Sequence, residues 1–94
     1  IIVMTSDRGL CGSFNSNTFR RLESMKKEFQ KEGKDVSVIT IGRKAKEYCK
    51  NRDINVDSEY TQMIPETMFE TGKKISEDVV QFYLNDFYDE VYMI

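Results

Sequence analysis

Three short runs of β-branched and apolar residues, separated by longer stretches with helical periodicity, restrict the fold of this chain more than any other feature. The runs are IIVMT at residues 1–5, VSVITI at 36–41 and VYMI at 91–94. Runs of this length and composition favour strands over helices. Nearly continuous apolar strands are typical of a parallel sheet that is covered by helices, so the pattern predicts an α/β fold.

The stretch at residues 15–32 predicts the first helix. Its apolar side chains recur every three or four positions, and charged side chains fill the opposite face. Asn15, Ser16 or Asn17 could supply the N-cap oxygen, and Gly33 stands where helices commonly end in a left-handed residue. The apolar stripe, which we interpret as core, consists of Phe19, Leu22, Met25 and Phe29.

Two further helices and an edge strand follow. Residues 43–52 predict a short helix with a narrow apolar stripe, and residues 65–84 predict a long helix that begins at Pro65. The alternation at residues 54–60 predicts a half-exposed strand at the edge of the sheet. The long helix also has a stripe that we interpret as core, formed by Met68, Gly72, Ile75, Val79 and Phe82.

Together these elements predict a single domain over residues 1–94. We expect a three-layer, Rossmann-like parallel sheet with about four strands and three helices. A chain of 94 residues is long enough for only one core. Because apolar runs stand at both ends, we expect the domain to be a central fragment of a longer chain.

Composition argues against several classes of function. Fourteen Lys and Arg against sixteen Asp and Glu give a formal charge of -2, so no overall field attracts nucleic acid. The longest charge-free run, residues 9–19, is too short to cross a bilayer, and we predict no direct membrane insertion. Histidine is absent, which rules out a Ser-His-Asp or Cys-His arrangement within the chain. The carboxylates lack the spacing of a Ca²⁺ loop, so no metal site is predicted.

The segment SDRGLCGSFNSN follows the first strand, where parallel α/β folds place their ligand sites. Gly9 and Gly12 permit a tight turn, and the helix N-terminus beyond them offers N–H groups to an anion. Their spacing matches neither GxGxxG nor GxxxxGK(S/T), which favours a plain strand-to-helix turn. A small nucleotide- or phosphate-binding domain that uses residues 7–13 and 42–44 stays open as an alternative function.

The second predicted helix is strongly basic. Its charges are either a solvated helix face or a patch for an acidic partner. Aromatic residues suited to base stacking are not interleaved with them, which argues against nucleic acid. The candidate patch consists of Arg43, Lys44, Lys46 and Lys50.

Three segments carry a resemblance to a known family. VMTSDRGLCGSFNSN, ITIGRKAKEYCKNR and NDFYDEVYMI resemble, in this order along the chain, the gamma subunit of the F-type ATP synthases. The resemblance covers essentially all 94 residues and is most specific at SDRGLCG followed by NSN. Ser13 and Phe14 depart from the smaller or less aromatic pair expected after the second glycine.

The resemblance implies the central globular domain of the rotor shaft, without the terminal helices that form its coiled coil. Such a domain transmits torque and binds the epsilon subunit and the ring of c subunits, at the cytoplasmic face of a bacterial membrane. The catalytic ATP sites belong to the beta subunits at their interfaces with alpha, so the resemblance implies no catalytic site and no cofactor here. The loop expected to lie near the beta subunits, and hence to contact other subunits, consists of Asp7, Arg8, Gly9, Leu10, Cys11 and Gly12.

Overall fold

A computed structural model describes residues 1–6, 13–61 and 64–94 of the chain. The chain divides into two compact units, one formed by Ile1–Gln62 with Met93–Ile94 and the other by Met63–Tyr92. Strands and helices alternate as predicted. In chain order they are β1 (Ile2–Met4), α1 (Phe14–Lys31), β2 (Val38–Ile41), α2 (Arg43–Asn51), β3 (Val56–Tyr60) and α3 (Pro65–Leu84).

The sheet has three strands in the order β1-β2-β3, and both pairs are parallel. β2 is central and buried along its whole length, whereas β3 alternates between half-buried and exposed residues at the edge. The predicted parallel α/β fold and its edge strand are therefore confirmed.

The fourth predicted strand is reduced to a single bridge. Met93 forms an isolated parallel bridge with Ile2, and hydrogen bonds join Met4 N to Ile94 O (3.0 Å) and Ile94 N to Ile2 O (2.9 Å). The Tyr92 hydroxyl, one residue earlier, donates to the Glu90 carboxylate. The sheet thus has three strands among the described residues, one fewer than the predicted count of about four, because this pairing is too short to form a ladder.

α1 and α2 pack on the same face of the sheet. Two successive right-handed crossovers that progress in one direction along a parallel sheet place their helices on one side. The two helices and the sheet enclose one apolar cluster, so the first unit supplies two of the predicted layers. Its buried members are Val3, Leu22, Val38, Ala45, Cys49 and Ile54.

The ends of α1 were predicted with mixed success. Gly33 adopts a φ of +78°, which confirms the left-handed residue expected after the helix. The N-cap, however, is Ser13, which makes no capping side-chain bond, and the helix begins at Phe14. The predicted choice of Asn15, Ser16 or Asn17 is wrong because these residues already lie in the first turn, where the Asn15 amide contacts Ser6 instead.

The second unit consists mainly of α3, whose bounds and initial Pro65 agree with the sequence prediction. Its stripe is core only in part, since Ile75 is buried whereas Met68 and Phe82 are exposed. Within this unit, Phe82 makes edge-on ring contacts with Phe87 and Tyr88. No helix among the described residues is both long and apolar enough to span a bilayer.

Candidate functional site

The predicted contact loop itself lies outside the described residues, but both of its flanks are described. Ser6 and Asn15 face each other across it. The Asn15 amide oxygen accepts from Ser6 N (3.4 Å), and the Asn15 amide nitrogen donates to the Ser6 hydroxyl (3.3 Å). This pair, the Ser6–Asn15 clasp, joins the end of β1 to the first turn of α1. The position of each loop end is therefore set by the packed core.

The same strand end also caps α2. The N-cap of α2 is Gly42, which has no side chain to offer, and Thr5 supplies the missing acceptor. The Thr5 hydroxyl accepts from Ala45 N at 2.9 Å, and Ser6 O accepts from Lys44 N at 3.4 Å. Unpaired N–H groups of a first helical turn need such partners when they are buried. Thr5 meets this need from 40 residues away in the sequence.

Gly42 is fixed by close packing as well as by its backbone angles. Its φ is +106°, and a Cβ there would lie 2.2 Å from Thr5 O and 2.8 Å from the Thr5 hydroxyl oxygen. Its own N–H donates to Tyr60 O at 2.8 Å. The backbone nitrogens of Gly42, Lys44 and Ala45 thus all donate to protein oxygens.

This geometry bears on the alternative phosphate site at residues 42–44. Phosphate cradles are built from backbone N–H groups that point at the ligand. Here two of the three residues already use their N–H groups within the protein. The described residues also contain no group of three Cys or acidic side chains that could hold a metal ion.

The structure brings two of the four residues in the predicted acidic-partner patch to one carboxylate. Arg43 Nε and Lys44 Nζ lie 3.8 and 3.5 Å from the Glu47 carboxylate, and Lys50 is exposed on the same helix. Lys46 pairs with a different acid, since its Nζ is 3.7 Å from the Glu59 carboxylate of β3. The ion pairs of the predicted patch are therefore divided between Glu47 of α2 and Glu59 of β3.

Sequence reasoning missed the basic residues that α1 adds beside this patch. Arg20, Lys27 and Lys31 recur at a spacing that puts them on one stripe of α1, and all three are exposed. Their spacing was visible in the sequence. Their place on the same side of the sheet as α2 was not, because it depends on the strand order that puts both helices on one face.

Tyr48 joins the two helices. Its ring stacks on Phe19 with the centroids 3.9 Å apart, and the Arg52 guanidinium lies 3.9 Å from the same centroid. The Tyr48 hydroxyl donates to Glu23 Oε1 at 3.1 Å. Burial raises the pKa of Tyr48 above its ordinary value, and the hydrogen bond to Glu23 is the second-largest cause of the increase.

Cys49, the next residue, is fully buried in the cluster between the helices and the sheet. Burial raises the pKa of its thiol, and the negative charge of Glu23 adds to the effect. A thiol with a raised pKa and no exposed surface is a poor nucleophile. Cys49 is therefore a packing residue.

Comparison with known proteins agrees with the resemblance seen in the sequence. The family model described as ATP synthase matches residues 1–94. An ATP synthase gamma chain from Fusobacterium nucleatum is 43% identical over all 94 residues. The chain belongs to the ATP synthase gamma-chain family.

Further gamma chains support this assignment. The relative from Geotalea daltonii is 39% identical over all 94 residues, and that from Trichormus variabilis is 34% identical over the same length. The matched region makes up 33%, 32% and 30% of the Fusobacterium, Geotalea and Trichormus chains, respectively. This gamma-family chain thus spans about a third of the length of the curated relatives that it matches.

Proposed function

We propose that this chain is part of the central stalk of a bacterial F-type ATP synthase, where it transmits torque and binds other stalk subunits. The observation that carries the proposal is the match to gamma chains over all 94 residues, at up to 43% identity in the relatives compared. The proposed partners are the epsilon subunit, the c-ring, and the alpha and beta subunits. The chain would act as a peripheral component at the cytoplasmic face of the membrane, without a catalytic site of its own.

The loop of residues 7–12 is the proposed contact with another subunit. Binding residues are commonly presented on loops that a rigid scaffold positions. The Ser6–Asn15 clasp and the bonds from Thr5 and Ser6 to α2 supply such a scaffold at the loop's flanks. A rotor part that transmits force also needs its contact loop anchored to the packed core rather than to a free terminus.

The alternative function, binding of a nucleotide or phosphate, receives less support. The nitrogens of Gly42 and Lys44 already donate to Tyr60 O and Ser6 O. A ligand at residues 42–44 would have to displace these bonds. It would also have to approach Gly42, whose Cβ position is already crowded by Thr5.

Calorimetry with the purified cognate epsilon subunit tests the proposed interaction. The full gamma-family chain should bind epsilon saturably, with one site per chain. A well-folded full chain that released no heat and failed to co-purify with epsilon would contradict the epsilon contact.

A thermal-shift screen separates this proposal from its alternative. ATP, NADP and flavin at millimolar concentration should leave the unfolding temperature unchanged. A true ligand at a hundredfold excess over its Kd would add about 2.7 kcal/mol to the folded state. A clear shift with any of these compounds would favour a ligand-binding domain.

The role in torque transmission calls for the assembled synthase. Arg8→Gln should lower the number of protons pumped per ATP hydrolysed, because it removes a charge from the proposed contact loop. The matched control is Arg21→Gln, which removes the same charge from an exposed position on α1. Equal coupling in both variants would argue against a role for Arg8.

A further inference from the structure

The charges of this chain are unevenly distributed. The formal charge is only -2, yet α1 and α2 together carry nine Lys or Arg side chains and three Glu. Residues 63–92 carry two Lys and seven Asp or Glu. Although the net charge of the chain is close to zero, the two neighbouring helices α1 and α2 are strongly basic.

Exposed cations from both helices lie on the solvent side of this pair. On α1, Phe19 and Glu23 reach Tyr48 of α2, which places the neighbouring stripe of cations on the flank beside α2. On α2, Arg43 and Lys50 are two turns apart on the exposed side. We call this surface the cationic face; it consists of Arg20, Lys27, Lys31, Arg43, Lys50 and Arg52.

Three of these six cations are not neutralised within the described residues. Glu47 is shared between Arg43 and Lys44, while Glu23 accepts the Tyr48 hydroxyl. Lys27, Lys31 and Lys50 have no carboxylate within ion-pair distance in the described parts of the chain. Like charges held on one surface repel each other, and an anionic partner would relieve that repulsion.

A membrane surface fits this face poorly. Helices that bind lipid insert an apolar face into the headgroup region. Here the apolar residues Leu22, Met25 and Ala45 are buried in the protein core. Phe14, at the start of α1, is the only large apolar side chain of the two helices that is exposed.

Nucleic acid fits it poorly as well. Single-stranded nucleic acid is held by aromatic rings on which bases stack. Tyr48 is the central ring of this surface, but Phe19 covers one side of it and the Arg52 guanidinium lies 3.9 Å from its centroid. The cations therefore remain without an available stacking platform beside them.

We propose that the cationic face binds an acidic segment of a partner polypeptide. The α1 stripe from Arg20 to Lys31 extends about 16 Å at a helical rise of ~1.5 Å per residue. Packed helix axes lie about 8–10 Å apart, so the exposed α2 cations form a second row on the same side of the sheet. A partner segment with about three turns of carboxylates along one side would match both rows. This inference goes beyond the stalk assignment and does not depend on it.

Binding of a labelled acidic peptide to the full chain tests the proposal. The probe is a 16-residue peptide of alternating Glu and Ala pairs, measured by fluorescence anisotropy at 50 mM salt. The double variant Lys27→Glu with Lys50→Glu should bind at least about tenfold more weakly, since each reversal replaces an attraction by a repulsion. Binding to the unmodified chain should also weaken between 50 mM and 500 mM salt.

Two control variants separate position from total charge. Lys73→Glu with Lys74→Glu makes the same change in net charge at exposed positions of α3 and should alter the affinity by less than about twofold. Lys27→Arg with Lys50→Arg keeps the charge and should bind like the unmodified chain. Circular dichroism establishes that every variant is folded before its affinity is compared.

Three results would overturn the proposal. The peptide could fail to bind saturably at 50 mM salt, or the α3 control could weaken binding as much as the reversal of Lys27 and Lys50. Vesicles with about one-third phosphatidylserine, or a single-stranded RNA, could bind more tightly than the peptide and lose that binding in the same double variant. None of these results affects the calorimetry with epsilon, so the stalk proposal is tested independently.

Discussion

Thr5 and Thr40 are both buried, yet their hydroxyl groups have opposite environments. The Thr5 hydroxyl accepts from Ala45 N at the start of α2. The Thr40 hydroxyl is fully buried and has no hydrogen-bond partner among the described residues. The Thr5 hydroxyl therefore satisfies a buried N–H donor, whereas burying the Thr40 hydroxyl costs desolvation energy that no hydrogen bond offsets.

Replacing each threonine by valine should affect the stability differently. Thr5→Val leaves Ala45 N without its acceptor and should lower the free energy of unfolding by about 1–3 kcal/mol. Thr40→Val replaces an unpartnered hydroxyl by a methyl group and should be neutral or stabilise by up to ~1 kcal/mol. Urea denaturation of both variants measures the difference. Equal losses would contradict the assignment of the Thr5 cap.

Gly42 and Gly72 form a second pair with opposite expectations. Gly42→Ala would drive a Cβ against Thr5 O at a positive φ, so we expect a loss of at least about 2 kcal/mol. Gly72 lies inside α3 with open space around it, and Gly72→Ala should stabilise by about 0.5–1 kcal/mol. The midpoints of denaturant unfolding, at unchanged slope, report both effects. A tolerated alanine at position 42 would contradict the close approach of Thr5.

The residue scale is where sequence reasoning was least complete. Gly33 was predicted correctly because a left-handed helix end is a local property of the chain. The role of Thr5 could not be predicted, since it joins residues 40 positions apart. Asn15 was one of three residues offered as the N-cap on general preference, but its side chain bonds to Ser6, nine positions earlier in the chain.

Among the elements, the contact between α1 and α2 contains two side chains with raised pKa values. Burial raises the pKa values of Cys49 and Tyr48 above their ordinary values, and Glu23 contributes to both. The unfolded chain therefore releases these protons at lower pH than the folded chain does. The stabilising contribution is complete below pH 9 and is lost as the pH rises through the folded-state values.

This linkage predicts an alkaline loss of stability that depends on Cys49. The free energy of unfolding should fall as the pH rises above about 9, and it should fall less steeply in Cys49→Ala. Cys11→Ser is the matched control, because it removes the other cysteine and leaves Cys49 in place. Denaturant titrations at several pH values give both slopes. Parallel curves for the unmodified chain and Cys49→Ala would show that Cys49 does not contribute.

The elements themselves followed closely from the sequence. Helical and strand periods located β1, α1, β2, α2, β3 and α3, because each pattern reflects which side chains a regular backbone can bury. The cationic face was found only in part. Lys50 and Arg43 were predicted from α2 alone, while the α1 residues beside them require the order of strands, which periodicity does not encode.

At the scale of the whole molecule, burial is concentrated in the sheet and the two helices on it. All four residues of β2 are buried, whereas α3 buries only Ile75 among its described residues. Phe69 of α3 is 83% exposed. Because tertiary packing supplies most of the stability of a helix, the two units should differ in how easily they open.

Native-state hydrogen exchange should reveal this difference. We expect the amides of α3 to exchange at least about a hundredfold faster than those of β2 under conditions where exchange reports local opening. α1 serves as the internal comparison, since it has a similar length and buries Leu22 and Met25. Protection in α3 equal to that in β2 would mean that the second unit opens only with the whole chain.

The cap on α2 also limits what can be learned from fragments. The first turn of this nine-residue helix depends on the Thr5 cap, which an isolated peptide would lack. Isolated helices shorter than about 12 residues are also only marginally stable in water. A synthetic peptide of residues 43–51 would therefore present its lysines on a flexible coil. Such a peptide would be a poor competitor for any partner that reads the spacing of those charges, even though it contains every basic residue of the helix.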